Sequence, residues 1–197
     1  MGQPTMLCQR ELLADGEAAL PGLRYAPEFL SALEETTLIA QIATLELRQA
    51  QYKSYQAKRR IVSYGGRYDF DRHELLPSGT VPEFLHPLRS RAAAWVGVAA
   101  EDFTHALIAE YAPGTALGWH RDVPDFELIA GVSLGGPGHL RFRPYPPGGS
   151  RQVLHLHVQP RSIYVLRGAA RWEWQHSLVP SPVLRYSITL RSLRTRM

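Results

Sequence analysis

Cysteine is nearly missing from this sequence: Cys8 is the one thiol in 197 residues. That excludes an intramolecular disulfide and a thiolate metal cage, and it fits a reducing compartment. Long apolar runs are missing too, since no uninterrupted stretch approaches the roughly 20 residues that span a bilayer. The opening MGQPTMLCQRELLADG lacks the basic, then apolar, then small-residue order of a secretory leader, and Met6 stands where a myristoylation pattern requires Ser or Thr. A soluble cytoplasmic protein with no membrane partner is therefore expected. Lysine is the third scarcity. Lys53 and Lys58 are the only lysines among 22 basic residues, so arginine carries nearly all of the positive charge. With a net charge of +4 and a pI near 9.4, the chain favours polyanionic partners, and the guanidinium is the better phosphate-binding group.

A hydrophobic content of 45% suffices for a substantial core, and residues 1–197 are expected to form one domain that acts as a monomer. Residues 1–26 read as an irregular lead-in broken by Pro4, Gly16, Pro21 and Gly22. From Pro27 to Leu47, Phe29, Leu30, Leu33, Leu38, Ile39 and Ile42 recur at helical spacing, with Glu34 and Glu35 on a solvated face. A second helix is expected over Pro82–Gly97, with Leu85, Leu88, Ala92 and Trp95 toward the core. After residue 102 the period changes. Strand-like segments follow at 103–111, 126–134, 139–145, 151–158, 162–166, 170–178 and 183–193, separated by joints such as Pro113-Gly114 and Gly135-Gly136-Pro137-Gly138. The pattern argues for an all-β sandwich or barrel behind N-terminal helices. The version expected for this mainly β chain is a double-stranded β-helix (jelly roll) packed on two helices, because it puts His120 and Asp122 near an early strand and His176 on a late one at one open end.

His120 and Asp122 stand two residues apart, so in an extended segment both side chains leave one face and can share a metal ion. His176, far downstream, is the candidate third ligand. Two histidines and one carboxylate make the facial triad of non-haem Fe(II) oxygenases, which leaves positions open for a co-substrate and dioxygen. Asp125 is the alternative carboxylate. In RYSITLR, alternation puts Arg185, Ser187, Thr189 and Arg191 on one face and Tyr186, Ile188 and Leu190 on the other. The second face is core. The first is either a solvated outer face or a pair of guanidiniums that hold the carboxylates of a small diacid.

The stretch QYKSYQAKRRIVSYGGRYDF interleaves Tyr52, Tyr55, Tyr64 and Tyr68 with Lys53, Lys58, Arg59, Arg60 and Arg67. Bases stack on aromatic rings while cations hold the backbone, so this composition suits a single strand or a flipped base. A surface hairpin turning at Gly65-Gly66 accounts for it equally. Glycines 131, 135, 136 and 138 do not fit a dinucleotide fingerprint. His155 and His157 read as outward-facing strand residues, and Trp172 and Trp174 as core packing on the His176 face.

Taken together, Tyr111, His120-Arg121-Asp122, His176 and the run from Arg185 to Arg191 resemble the AlkB family of Fe(II)- and 2-oxoglutarate-dependent dioxygenases. The resemblance is strongest from Phe103 to Arg191, and RRIVSYGGRYDFD is similar to the family's entry region. It implies Fe(II) at His120, Asp122 and His176, with 2-oxoglutarate and dioxygen as co-substrates. Arg185 with Tyr111 is implied at the distal carboxylate of 2-oxoglutarate, Ser187 in the same strand, and Arg191 close to the carboxylate at the iron. Residues 1–102 are then helical support and substrate lid, and 103–197 the jelly-roll core. The implied reaction is oxidative removal of N-alkyl (methyl) groups from nucleobases in DNA or RNA, releasing aldehyde, succinate and CO2. Substrate contacts are implied at Tyr52, Tyr55, Arg59, Tyr64, Arg67, Tyr68, Trp119 and Asp125. Ala109 and Ser187 stand where the family has Asn, which removes two possible hydrogen bonds to the co-substrate. The alternatives are the same chemistry on a protein or modified transfer RNA, or a non-catalytic jelly-roll module that binds nucleic acid.

Overall fold

The computed structural model describes residues 20–52, 55–69, 72, 74–147 and 152–195, with the backbone alone at 51, 52, 55, 56 and 67. Cys8 and Met6 lie outside the described residues. In chain order come β1 (Leu23–Ala26), α1 (Ala32–Ala43), β2 (Arg48–Tyr52), β3 (Tyr55–Tyr64), β4 (Arg67–Asp69), β5 (Glu74–Leu76), α2 (His86–Val96), β6 (Phe103–Tyr111), β7 (Leu117–His120) and β8 (Phe126–Gly135). There follow β9 (Gly138–Pro144), β10 (Leu154–Val158), β11 (Ile163–Leu166), α3 (Gly168–Trp172), β12 (Trp174–Val179) and β13 (Arg185–Leu193). A major sheet runs β1-β11-β8-β13-β6-β3-β2, and a minor sheet runs β10-β9-β12-β7. The pair β4-β5 stands apart from both. This is the expected jelly roll on two helices.

Alternation along the central strands builds two cores. Ala106, Ile108, Ala130, Val132, Ile188 and Leu190 point to one face of the major sheet, where they pack with Leu38 and Ile42 of α1 and Leu88, Ala92 and Val96 of α2. The opposite face sends Ala109, Tyr111, Ile129 and Tyr164 toward Leu140, Phe142, Leu156 and Leu178 of the minor sheet. Ile188 and Leu190 lie in the helix-side core, so the polar residues of β13 point into the space between the sheets rather than into solvent.

Four departures from the sequence expectation have a local cause. Helix α1 begins only at Ala32, because Ser31 caps it reciprocally: Glu34 N donates to Ser31 Oγ at 3.2 Å, and Ser31 N donates to a Glu34 carboxylate oxygen at 2.7 Å. Such a cap contributes about 1 kcal/mol. Leu33 consequently faces solvent at 76% exposure, while Phe29 and Leu30 reach the core from the preceding turn. Glu34 also pairs with Arg91 at 2.8 Å, and Glu35 accepts from the Gly135 backbone N–H at 2.8 Å, so this acidic pair has structural partners.

The lead-in contains β1, which completes the edge of the major sheet beside β11. Gly65 and Gly66 do not turn a hairpin, because β2 pairs with β3 and β4 with β5. Gly65 instead bends the chain between sheets with φ +78°, and a Cβ there would meet the Thr104 carbonyl oxygen. Finally, residues 168–172 form α3 rather than the start of a strand, so Trp172 does not share a face with His176. Its indole N–H donates to Glu127 at 2.9 Å. Among the described residues no helix is long and apolar enough to cross a membrane.

Candidate active site

His120 ends β7, and the antiparallel register of β12 sets His176 directly opposite it. Asp122 follows in the loop. One ligand atom from each of the three residues lies within 4.8 Å of the others, with the two imidazole centroids 4.2 Å apart and His176 Nε2 3.6 Å from Asp122 Oδ2. His120 Nδ1 is 2.8 Å from the Gly118 carbonyl oxygen, which can only accept. The ring proton therefore sits on Nδ1 and Nε2 keeps its lone pair. Arg191 Nη2 donates to Asp122 Oδ1 at 2.9 Å, leaving Oδ2 to face the histidines.

Electrostatics set the same protonation states. Burial pushes His176 down to about 3, helped by His120 and opposed by Asp122, and burial lowers His120 against the pull of Asp122. Burial pushes the Asp122 carboxyl up, but Arg191, His176, His120 and Arg171 together outweigh it and hold the group below the usual carboxylate range. At neutral pH this gives two neutral imidazoles beside a carboxylate, so the contact between His176 and Asp122 is two donor atoms converging rather than an ion pair. That is the state a divalent cation requires. A set of two nitrogens and one oxygen can bind Fe(II) and leave further positions open.

A second group of polar residues lies deeper between the sheets. Arg185 is 2% exposed, and its Nε donates to Ser133 Oγ at 3.1 Å while the guanidinium lies 5.3 Å from the Tyr111 ring centroid. Burial lowers its pKa, opposed only by Tyr111 and Tyr164, and no carboxylate among the described residues pairs with it. Tyr164 packs against Gly131, where an added Cβ would come within 2.3 to 2.5 Å of the phenol ring and its hydroxyl. Burial raises the Tyr164 pKa, and its hydroxyl has no hydrogen-bond partner among the described residues. Arg191 Nε is buried without a partner among the described residues. A buried cation lacking an anion, beside donors lacking acceptors, is costly until a ligand completes it. The two positions where the family has Asn face each other here, Ser187 opposite Ala109.

Both groups line one cavity of about 1170 Å³, together with Arg59, Tyr64, Tyr68 and Trp119. Asp125 is not part of its lining; it sits near Tyr68, whose hydroxyl burial raises first and the Asp125 charge second. The side chains of Tyr52, Tyr55 and Arg67 lie outside the described residues.

Sequence reasoning misses His105, Tyr164, Ser133 and Arg171. His105, 3% exposed, sits 3.5 Å from Arg191 through Nδ1. It shares the β6 face of Tyr111 by period two, a signal available once Tyr111 is assigned to the site. Arg171, 2% exposed, donates to the carbonyls of Asp122 at 3.2 Å, Val123 at 2.7 Å and Phe126 at 2.8 Å, and so clamps the loop that presents Asp122. Nothing local marks it, since its partners lie more than forty residues upstream.

Comparison with known proteins agrees with this geometry. The family model for the 2OG-Fe(II) oxygenase superfamily matches residues 22–191. The "Alkylated DNA repair protein ALKBH8 homolog" of Arabidopsis thaliana is 30% identical over 224 residues, covering 95% of this chain and 62% of that protein. The "Probable RNA/DNA demethylase ALKBH6" of Danio rerio is 27% identical over 160 residues, covering 76% of this chain and 65% of its own length. Among solved structures, OsALKBH1 superposes with a TM-score of 0.67 at 12% identity, over 87% of this chain and 97% of its own. The chain belongs to the 2OG-Fe(II) oxygenase superfamily and, within it, to the AlkB family. It is a dioxygenase domain whose cofactors are Fe(II) and 2-oxoglutarate. It spans about three-fifths of the length of the curated relatives it matches.

Proposed function

We propose that this domain removes N-alkyl groups from nucleobases of DNA or RNA by oxidation, with release of aldehyde, succinate and CO2. The observation that carries the reading is the single cavity of about 1170 Å³. It joins a buried guanidinium lacking an anion to an aromatic and cationic mouth, with the His120, Asp122 and His176 cluster between them.

His120, Asp122 and His176 hold Fe(II), and bound Fe(II) with 2-oxoglutarate and dioxygen supplies the oxidising power. The chain's own residues bind, orient and exclude. Arg185, Tyr111, Tyr164 and Ser187 take the distal carboxylate of 2-oxoglutarate. Arg191 keeps Asp122 ionised and aimed. Phe126, Ile129, Leu140 and Leu178 give the cavity an apolar wall that keeps water from the reacting centre. Tyr64 and Tyr68 offer rings on which a displaced base can stack, each worth about 1–3 kcal/mol, with Trp119 at the rim and Arg59 as a further cation of the lining.

The test is incubation with single-stranded DNA and RNA oligonucleotides that carry N-methylated bases. Loss of the methyl mass with stoichiometric formaldehyde and succinate is expected, together with a weaker reaction in Tyr68→Ala. Turnover of 2-oxoglutarate that leaves every methylated oligonucleotide intact would move the function to a protein or a modified transfer RNA.

A further inference from the structure

The outer face of the minor sheet carries a charge pattern that the cavity chemistry does not use. None of its four strands contains Asp or Glu. Alternation buries Leu140, Phe142 and His176 between the sheets and turns Arg141, Arg143, Gln175 and Trp119 outward. Arg141 Nε donates to Ser177 Oγ at 3.1 Å and Arg143 Nε to Gln175 Oε1 at 2.9 Å, so both side chains lie flat across β12. Their guanidiniums then stack on one indole, 5.0 and 4.5 Å from the Trp119 ring centroid. Nearby, Arg121 lies 3.8 Å over the Tyr145 ring and donates to the Trp172 carbonyl at 2.9 Å.

Among the described residues, each of these arginines is held by a neutral acceptor and an aromatic ring, not by a carboxylate. The positive charge is therefore fixed in place with no ion-pair partner among the described residues. Immobilising a guanidinium in advance lowers the entropic cost of binding a planar or tetrahedral oxyanion. Trp119 and Arg121 also line the cavity, so the basic face is continuous with its mouth. An acidic protein surface needs no continuity with a base-sized cavity, whereas a strand whose base enters that cavity must run its phosphates past the rim.

Resting on the reading that the substrate is a nucleic acid, we infer that Arg141, Arg143 and Arg121, ordered around Trp119 and Tyr145, form a track for the phosphodiester backbone of the strand that carries the target base. The contacts are to phosphate and read no sequence, so the track sets affinity and register rather than base choice.

The test compares the Fe(II)-loaded wild type with R141Q/R143Q, binding fluorescent single-stranded oligonucleotides of mixed sequence from 50 to 200 mM salt. Two lost phosphate contacts should lower the slope of log affinity against log salt by about 1.4 and weaken binding roughly tenfold, equally for all sequences. Succinate formation without nucleic acid should stay at the wild-type rate, because neither residue lines the cavity. Q175E is the second variant. It keeps the acceptor for Arg143 and neutralises its charge, and it should lower the slope by about 0.7 even if the double variant fails to fold. Wild-type affinity and slope in Q175E and in any folded double variant overturn the track while leaving the proposed function standing. A wild type that binds no oligonucleotide overturns both.

Discussion

Arg191 on β13 donates to Oδ1 of Asp122 at 2.9 Å, so one residue of the co-substrate strand orients the carboxylate of the metal cluster. The same guanidinium contacts His105 Nδ1 at 3.5 Å, and its Nε is buried without a partner among the described residues. Replacing Arg191 by Gln removes the strongest of the four influences that hold the Asp122 carboxyl down. Second-sphere losses of this kind cost about 10- to 100-fold in metal affinity. Anaerobic Fe(II) titration of Arg191→Gln should show a loss in that range; unchanged affinity would mean that Asp122 needs no help from β13.

Tyr164 predicts a graded series. Tyr164→Phe keeps the ring on Gly131 and deletes one hydroxyl, a loss of about 1 kcal/mol that appears as a several-fold rise in KM for 2-oxoglutarate. Gly131→Ala drives a methyl into that ring and should destabilise the fold by about 1–3 kcal/mol as well as raise KM. A normal KM in Tyr164→Phe would remove the hydroxyl from the carboxylate cradle.

Arg171→Gln should loosen the loop that carries Asp122, because three backbone carbonyls lose a charged donor. The expected cost is on the order of 3 kcal/mol in unfolding free energy, with weaker Fe(II) binding and little change in KM for 2-oxoglutarate. Equal losses in both ligands would instead indicate general unfolding.

Acid stability follows from the buried histidines. His176 and His105 are each held near 3 by burial first, with His120 and Arg191 respectively the next cause, whereas an unfolded chain protonates them near 6.5. Between those values the unfolded state binds the extra protons. The metal-free protein should therefore be fully stabilised above about pH 6.5 and lose stability as pH falls toward 3, by roughly 1 kcal/mol per pH unit for each histidine. Denaturant titrations at pH 7, 6 and 5 measure the slope, and His105→Phe should lessen it. A flat profile would place both imidazoles in contact with water.

The sequence makes the metal cluster and the strand Arg185–Leu193 legible because each is a local pattern, two residues apart or alternating by two. The strand Phe103–Tyr111 is legible to the residue for the same reason. Helix α1 is overextended because apolar spacing continues past Ser31, and only the capping geometry with Glu34 sets the true start. α3 is hidden because Ala170, Trp172 and Trp174 alternate as a strand would. Arg171 and Tyr164 escape because their significance lies in contacts that only the packed sheets and loops create. His139 shows the same effect: its Nε2 meets His155 Nδ1 at 2.8 Å across β9 and β10, a pairing that spacing along one strand does not reveal.

The most direct test of the account is an anaerobic titration with Fe(II) and then 2-oxoglutarate, followed by exposure to air and quantification of succinate, in the wild type, His176→Ala and Arg185→Gln. The account predicts iron and 2-oxoglutarate binding with succinate in the wild type, loss of iron and succinate in His176→Ala, and retained iron with lost 2-oxoglutarate binding in Arg185→Gln. A His176→Ala protein that still binds iron and forms succinate would contradict the assignment of the cluster.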